Sequence, residues 1–78
     1  MADDGAADKI PKPGDTIIFR RSDGLYDVRK VDASGQTEVV RLDLPSLDKA
    51  THIARANVER RGRIWVEDDA KPDVFERL

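Results

Sequence analysis

Apolar and polar positions change period along this chain, and the changes mark out its elements. Thr16 to Arg21 centres on Ile17, Ile18 and Phe19, a β-branched and aromatic run that reads as a first strand. Ser22-Asp23-Gly24 follows as a tight turn, in which glycine supplies a positive φ at low cost. Leu25 to Val31 alternates as a second strand, with Tyr26 and Val28 on one face and Asp27 and Arg29 on the other. Asp32-Ala33-Ser34-Gly35 makes the next turn. Thr37 to Leu42 is a third strand, with Val40 and Leu42 facing one way and Val39 and Arg41 the other. Connections this short predict an antiparallel meander.

The period then lengthens. Leu47, Ala50, Ile53, Ala54 and Val58 recur at helical spacing and predict a helix from Ser46 to Arg61. Ser46 is suited to cap free backbone N–H groups, and Asp48 sits in the first turn, where the helix dipole favours negative charge. Arg60 and Arg61 followed by Gly62 read as the stop, with glycine taking the left-handed conformation. The alanines let the helix lie close to a sheet, with Phe19, Tyr26, Val28 and Val40 filling the gap. Ile64 to Val66 returns as a fourth short strand, and Glu67-Asp68-Asp69 ends it. Asp73 to Leu78 is expected to form a short turn or helix that folds Val74, Phe75 and Leu78 back onto the body.

These elements define an α+β fold of order β-β-β-α-β, a three-stranded meander joined by a fourth strand with one helix on one face. A crossover through the helix places the fourth strand parallel to the third or to the first. Met1 to Pro13 reads as a disordered leader, and residues 14–78 as a single small domain. Seventy-eight residues bury apolar area that only narrowly exceeds the chain entropy lost, so a partner or a second copy in a homodimer is physically attractive.

Composition narrows the function classes. There is no cysteine, which excludes disulfide and thiolate-metal chemistry and suits an intracellular protein. The longest apolar runs are two or three residues, so no membrane-spanning helix is expected. The acidic start, Met1-Ala2-Asp3-Asp4-Gly5, lacks the basic region of a secretory signal, and cytoplasm is the expected location. The formal net charge of −2 argues against a strong nonspecific grip on nucleic acid.

Candidate chemistry is sparse. His52, the single histidine, falls opposite the apolar stripe with no nucleophile beside it, and a solvated helix residue is the favoured reading over a general base. Glu67, Asp68 and Asp69 lack the spacing of a calcium loop and read as a solvated strand end. The expectation is therefore no catalytic residue, no cofactor and no metal. If Tyr26, Val28 and Val40 face the helix, the opposite face presents Ile18, Arg20, Asp27, Arg29, Val39, Arg41 and Trp65. Arg20, Arg29, Arg41 and Trp65 suit a protein–protein patch, since arginine and tryptophan dominate interface energetics. The same residues suit phosphate contacts and base stacking, which makes nucleic-acid binding the alternative.

Several motifs carry a resemblance. Asp23-Gly24-Leu25-Tyr26-Asp27-Val28, the alanine-rich helix from Leu47 to Val58, and Gly62-Arg63-Ile64-Trp65-Val66 resemble the small bacterial DUF2188 domains of unknown function. Those domains show a D-G-x-W-x-V turn and strand, a T-x-x-E-A-x-x-x-A helix and a G-x-I closing strand. The likeness covers residues 15 to 67, with Tyr26 in place of tryptophan and Ser46 in place of threonine. It implies a bacterial source and a fold, but no activity. The β-β-β-α order also resembles plant-type AP2 DNA-binding domains, without their dense arginine pattern. The function expected from these observations is a non-enzymatic protein-interaction module.

Overall fold

The computed structural model describes residues 9–78, which form a five-stranded mixed sheet with one helix. Strands β1 (Thr16–Arg20), β2 (Tyr26–Val31) and β3 (Thr37–Leu44) precede helix α1 (Leu47–Asn57). Strands β4 (Ile64–Asp68) and β5 (Lys71–Arg77) follow it. The order across the sheet is β3-β2-β1-β4-β5. The α+β class and the meander match the sequence pattern. Only β1 and β4 are parallel; every other pairing is antiparallel. The fourth strand thus lies beside the first, and α1 packs over β3, β2 and β1.

Alanine sets the depth of that packing. Ala50 and Ala54 are fully buried against Ile18, Val28 and Leu44, with Tyr26, Val40, Leu47, Ile53, Ile64 and Val66 around them. The approach is close enough for the Thr16 hydroxyl to donate to the Ala54 carbonyl at 3.2 Å. Ser46 caps the helix by accepting from the Lys49 N–H at 3.2 Å. The helix ends at Asn57, well before the expected Arg61, because Val58 turns extended with φ −69° and ψ 141°. Gly62 has a different role from the one expected. A Cβ there would lie 2.5 Å from the Gly14 carbonyl oxygen and 2.7 Å from Val58 Cγ2, so only glycine lets the two loops cross.

The C-terminal segment corrects the expectation of a turn or helix. Residues 71–77 form β5, paired to β4, and the Leu78 N–H donates to the Ile64 carbonyl at 2.9 Å. Phe75 and Arg77 lie opposite Glu67 and Trp65, a two-residue period hidden in a charged and proline-containing segment. At the other end, the part of the leader expectation that falls on residues 1–8 lies outside the described residues. Lys12 and Asp15 already close a turn, with Lys12 N–H to Asp15 Oδ2 at 2.8 Å and Asp15 N–H to the Lys12 carbonyl at 2.9 Å. The fold therefore takes hold at Lys12, two residues before Gly14.

Both outer strands are interrupted. In β3 the register slips between Val28↔Arg41 and Arg29↔Val39, and Asp43 has φ +60°. In β5 the register jumps from Glu67↔Phe75 to Asp68↔Lys71, and Asp73 has φ +64°. Such breaks blunt a sheet edge against further strand pairing.

Candidate interaction face

Directly opposed residues in a sheet share a face, so the registers define which side chains assemble away from α1. One transverse row runs Val39, Arg29, Ile17, Trp65, Arg77, from β3 across to β5. The next runs Asp27, Phe19, Glu67, Phe75. No helix covers this face among the described residues, and the strands' own side chains form a second apolar cluster there, of Ile17, Val31 and Trp65 with Phe75 packed against it.

A buried carboxylate organises that cluster. Asp15 is 4% exposed and accepts three N–H groups. Trp65 Nε1 donates to its Oδ2 at 2.8 Å, Arg63 N–H to its Oδ1 at 2.9 Å and Lys12 N–H to its Oδ2. The contact spans fifty residues of chain and fixes the indole ring. The neighbouring rim is fastened by Arg21, which reaches Asp23 at 2.7 Å, Asp27 at 3.2 Å and Asp43. The hydrogen bonds it donates, to Asp43 first and Asp27 second, raise its pKa above the usual guanidinium value. Buried Asp27 also accepts from the Asp43 N–H at 3.1 Å. This arginine is fully occupied in holding the edge together.

Two other arginines are not. The Arg29 guanidinium lies 5.5 Å from the centre of the Phe19 ring, and that of Arg77 lies 5.9 Å from the Trp65 ring. Neither has an ion pair among the described residues. Arg29 Nε is buried without a hydrogen-bond acceptor in the protein. Each guanidinium rests on an aromatic ring, which restricts its orientation.

The four residues anticipated on one face are dispersed. Trp65 is on it, but at 1% exposure its ring is a floor for Arg77 and not a contact surface. Arg29 is there and accessible in part. Arg20 points to the helix side, opposite Tyr26 and Asp68, and sits 5.9 Å from the Tyr26 ring and 3.9 Å from Asp68 Oδ2. Arg41 lies opposite Val28 and so also turns to the helix side, because the slip at Val40 reverses the alternation. Ile18 and Phe19 exchange the faces assigned to them, Ile18 joining the helix-side core and Phe19 the far face. Sequence reading missed Phe19, Phe75 and Arg77 as members of this face. A period-two reading of residues 73–77 was the signal for the last two.

The remaining candidates add little. His52 is exposed in an open groove of about 610 Å³ between β3 and α1, with Arg41, Leu42, Leu44 and Ile53 beside it. No serine, threonine or cysteine lines it. Among the described residues no three histidine, cysteine or acidic side chains are placed to hold a metal ion, and no helix is long and apolar enough to cross a membrane. Glu67 Oε2 accepts from the Asp73 N–H at 2.9 Å, and Asp68 Oδ1 from the Ala70 N–H at 2.8 Å, which are turn contacts. Comparison with family models, curated proteins and solved structures finds no match. The resemblance to DUF2188 domains therefore lends no residue to this face, which stands on its geometry alone.

Proposed function

We propose that this domain is a non-enzymatic protein-interaction module whose contact surface is the sheet face away from α1. The observation that carries the reading is the transverse row in which Arg29 and Arg77 lie on aromatic rings without ion pairs. Arginine held in this way loses little freedom on binding, and arginine beside aromatic rings is the usual composition of an interface centre. Exposed Val39, with half-buried Phe19 and Phe75, supplies apolar area around the two charges. The interrupted edges favour docking on the face over strand addition. A second copy set face to face brings one row of arginines against another, so the partner is read as a different protein. Nucleic acid is disfavoured, because Arg20 and Arg41 turn to the opposite side from Arg29. A bacterial, cytoplasmic setting belongs to the same proposal and rests on the resemblance and the cysteine-free composition.

Site-specific photo-cross-linking in native cells tests it. A benzophenone side chain at position 39 is expected to capture protein adducts that the same group at position 52 does not, and Arg29→Ala abolishes them. Adducts identical at both positions, or insensitive to Arg29, overturn the proposal.

A further inference from the structure

Resting on that reading, we infer that the partner contributes an extended acidic segment that crosses the strands and sets one carboxylate on Arg29 and another on Arg77. The row fixes the spacing. Arg29, Ile17, Trp65 and Arg77 occupy successive strands in register, so the two arginine backbones are three strand intervals, about 14 Å, apart. An extended chain advances about 3.3 Å per residue, which puts the matching acidic residues four apart. The side chain midway between them falls over the apolar floor of Ile17 and Trp65, with half-buried Phe19 and Glu67 beside it in the adjacent row, and is therefore apolar.

The charges on the face support an anionic occupant. Asp27 and Asp15 are buried and already have donors within the fold, Asp27 from Arg21 and the Asp43 N–H, Asp15 from three N–H groups. Arg29 and Arg77 are left without a carboxylate of their own, and Arg29 Nε has been desolvated without an acceptor. Carboxylates match the planar guanidinium through paired hydrogen bonds, which an ammonium does not offer. Besides the buried Asp27, Glu67 is the opposing charge in the adjacent row, and its Oε2 is turned toward the Asp73 N–H. The geometry thus selects for two separated carboxylates over a single diffuse patch of negative charge.

The probe is a fluorescent peptide with glutamates at its first and fifth positions, a central leucine and uncharged spacers, measured by anisotropy at low ionic strength. The expected result is binding about tenfold tighter than that of the peptide with glutamine at both positions. Arg29→Ala and Arg77→Ala each weaken it about fivefold, Arg29→Lys does not restore it, and Glu67→Gln strengthens it about twofold. Arg77→Lys keeps an aliphatic stem over Trp65 and so separates lost recognition from a disturbed ring, and it too weakens binding. Equal binding of the glutamate and glutamine peptides overturns the inference. Tighter, equally arginine-dependent binding of a single-stranded oligonucleotide also overturns it, in favour of phosphate. If the peptide fails while Arg29-dependent cross-links at position 39 persist, the interaction face stands and the acidic segment falls.

Discussion

The two faces of the sheet are built from the same strands and closed by different means. On one side α1 seals Ile18, Val28 and Leu44 with alanine, and the surrounding ring of apolar side chains belongs to the fold itself. On the other, Ile17, Val31 and Trp65 are sealed only by side chains, chiefly the Asp15 carboxylate, Phe75 and the stacked Arg77. A helix closes a core by satisfying its own backbone and leaves nothing unanswered. A lid of side chains puts charges over the core, and two of those charges have no counterpart in the described chain. The contrast teaches that burial and unanswered charge can share one face: Trp65 belongs to the core, and the arginine above it, which the proposed function assigns to recognition, has no carboxylate of its own among the described residues.

That contrast can be broken from either side. Trp65→Ala removes the largest fully buried side chain and is expected to cost about 3–5 kcal/mol in denaturant unfolding, against about 2–5 kcal/mol for Ile18→Ala on the helix side. A far smaller loss for Trp65→Ala would mean that the second cluster is ornamental to the fold. Asp15→Ala leaves the Trp65 indole and two backbone N–H groups unpaired, at least about 2 kcal/mol, and should broaden the indole N–H resonance. Arg29→Ala should cost no more than about 1 kcal/mol, the scale of its stacking on Phe19, while abolishing Arg29-dependent cross-links, which separates recognition from folding.

The smallest effect lies in the β2–β3 turn. Asp32 is held below its ordinary pKa, first by the Ser34 hydroxyl and then by backbone N–H groups, against a desolvation that works the other way. A depressed folded-state pKa contributes stability that is present above the ordinary aspartate value near 3.9 and is lost as pH falls through the folded value. Wild type should therefore exceed Asp32→Asn in stability at neutral pH, and the gap should close below about pH 4. A gap that is constant with pH would remove the turn contact from the account.

Much of the fold was legible because local rules and tertiary need agreed. Pro45-Ser46-Leu47-Asp48 announced the start of α1, and the two alanines announced its close approach. The misses have separate physical causes. Ile17-Ile18-Phe19 is apolar throughout because β1 is central and buried on both faces, so alternation carries no information about which residue faces the helix. A single slipped residue near Val40 sent Arg41 to the helix side, and no local signal in Thr37 to Leu44 marks it. Gly62 looked like a helix stop but answers to a loop 48 residues earlier, at Gly14. Of the four residues anticipated for the proposed interaction face, Arg29 and Trp65 lie on the sheet face away from α1. The Asp15–Trp65 contact was not legible, because it joins distant segments through one buried carboxylate.

The most direct test of the central claim is a titration of the isotope-labelled protein with the two-glutamate peptide, read by amide and indole chemical shifts. The account predicts shifts concentrated at Arg29, Phe19, Phe75, Arg77 and the Trp65 indole N–H, with His52 and the rest of α1 unmoved. Shifts centred on Arg41, His52 and Ile53, with the far face silent, would contradict it.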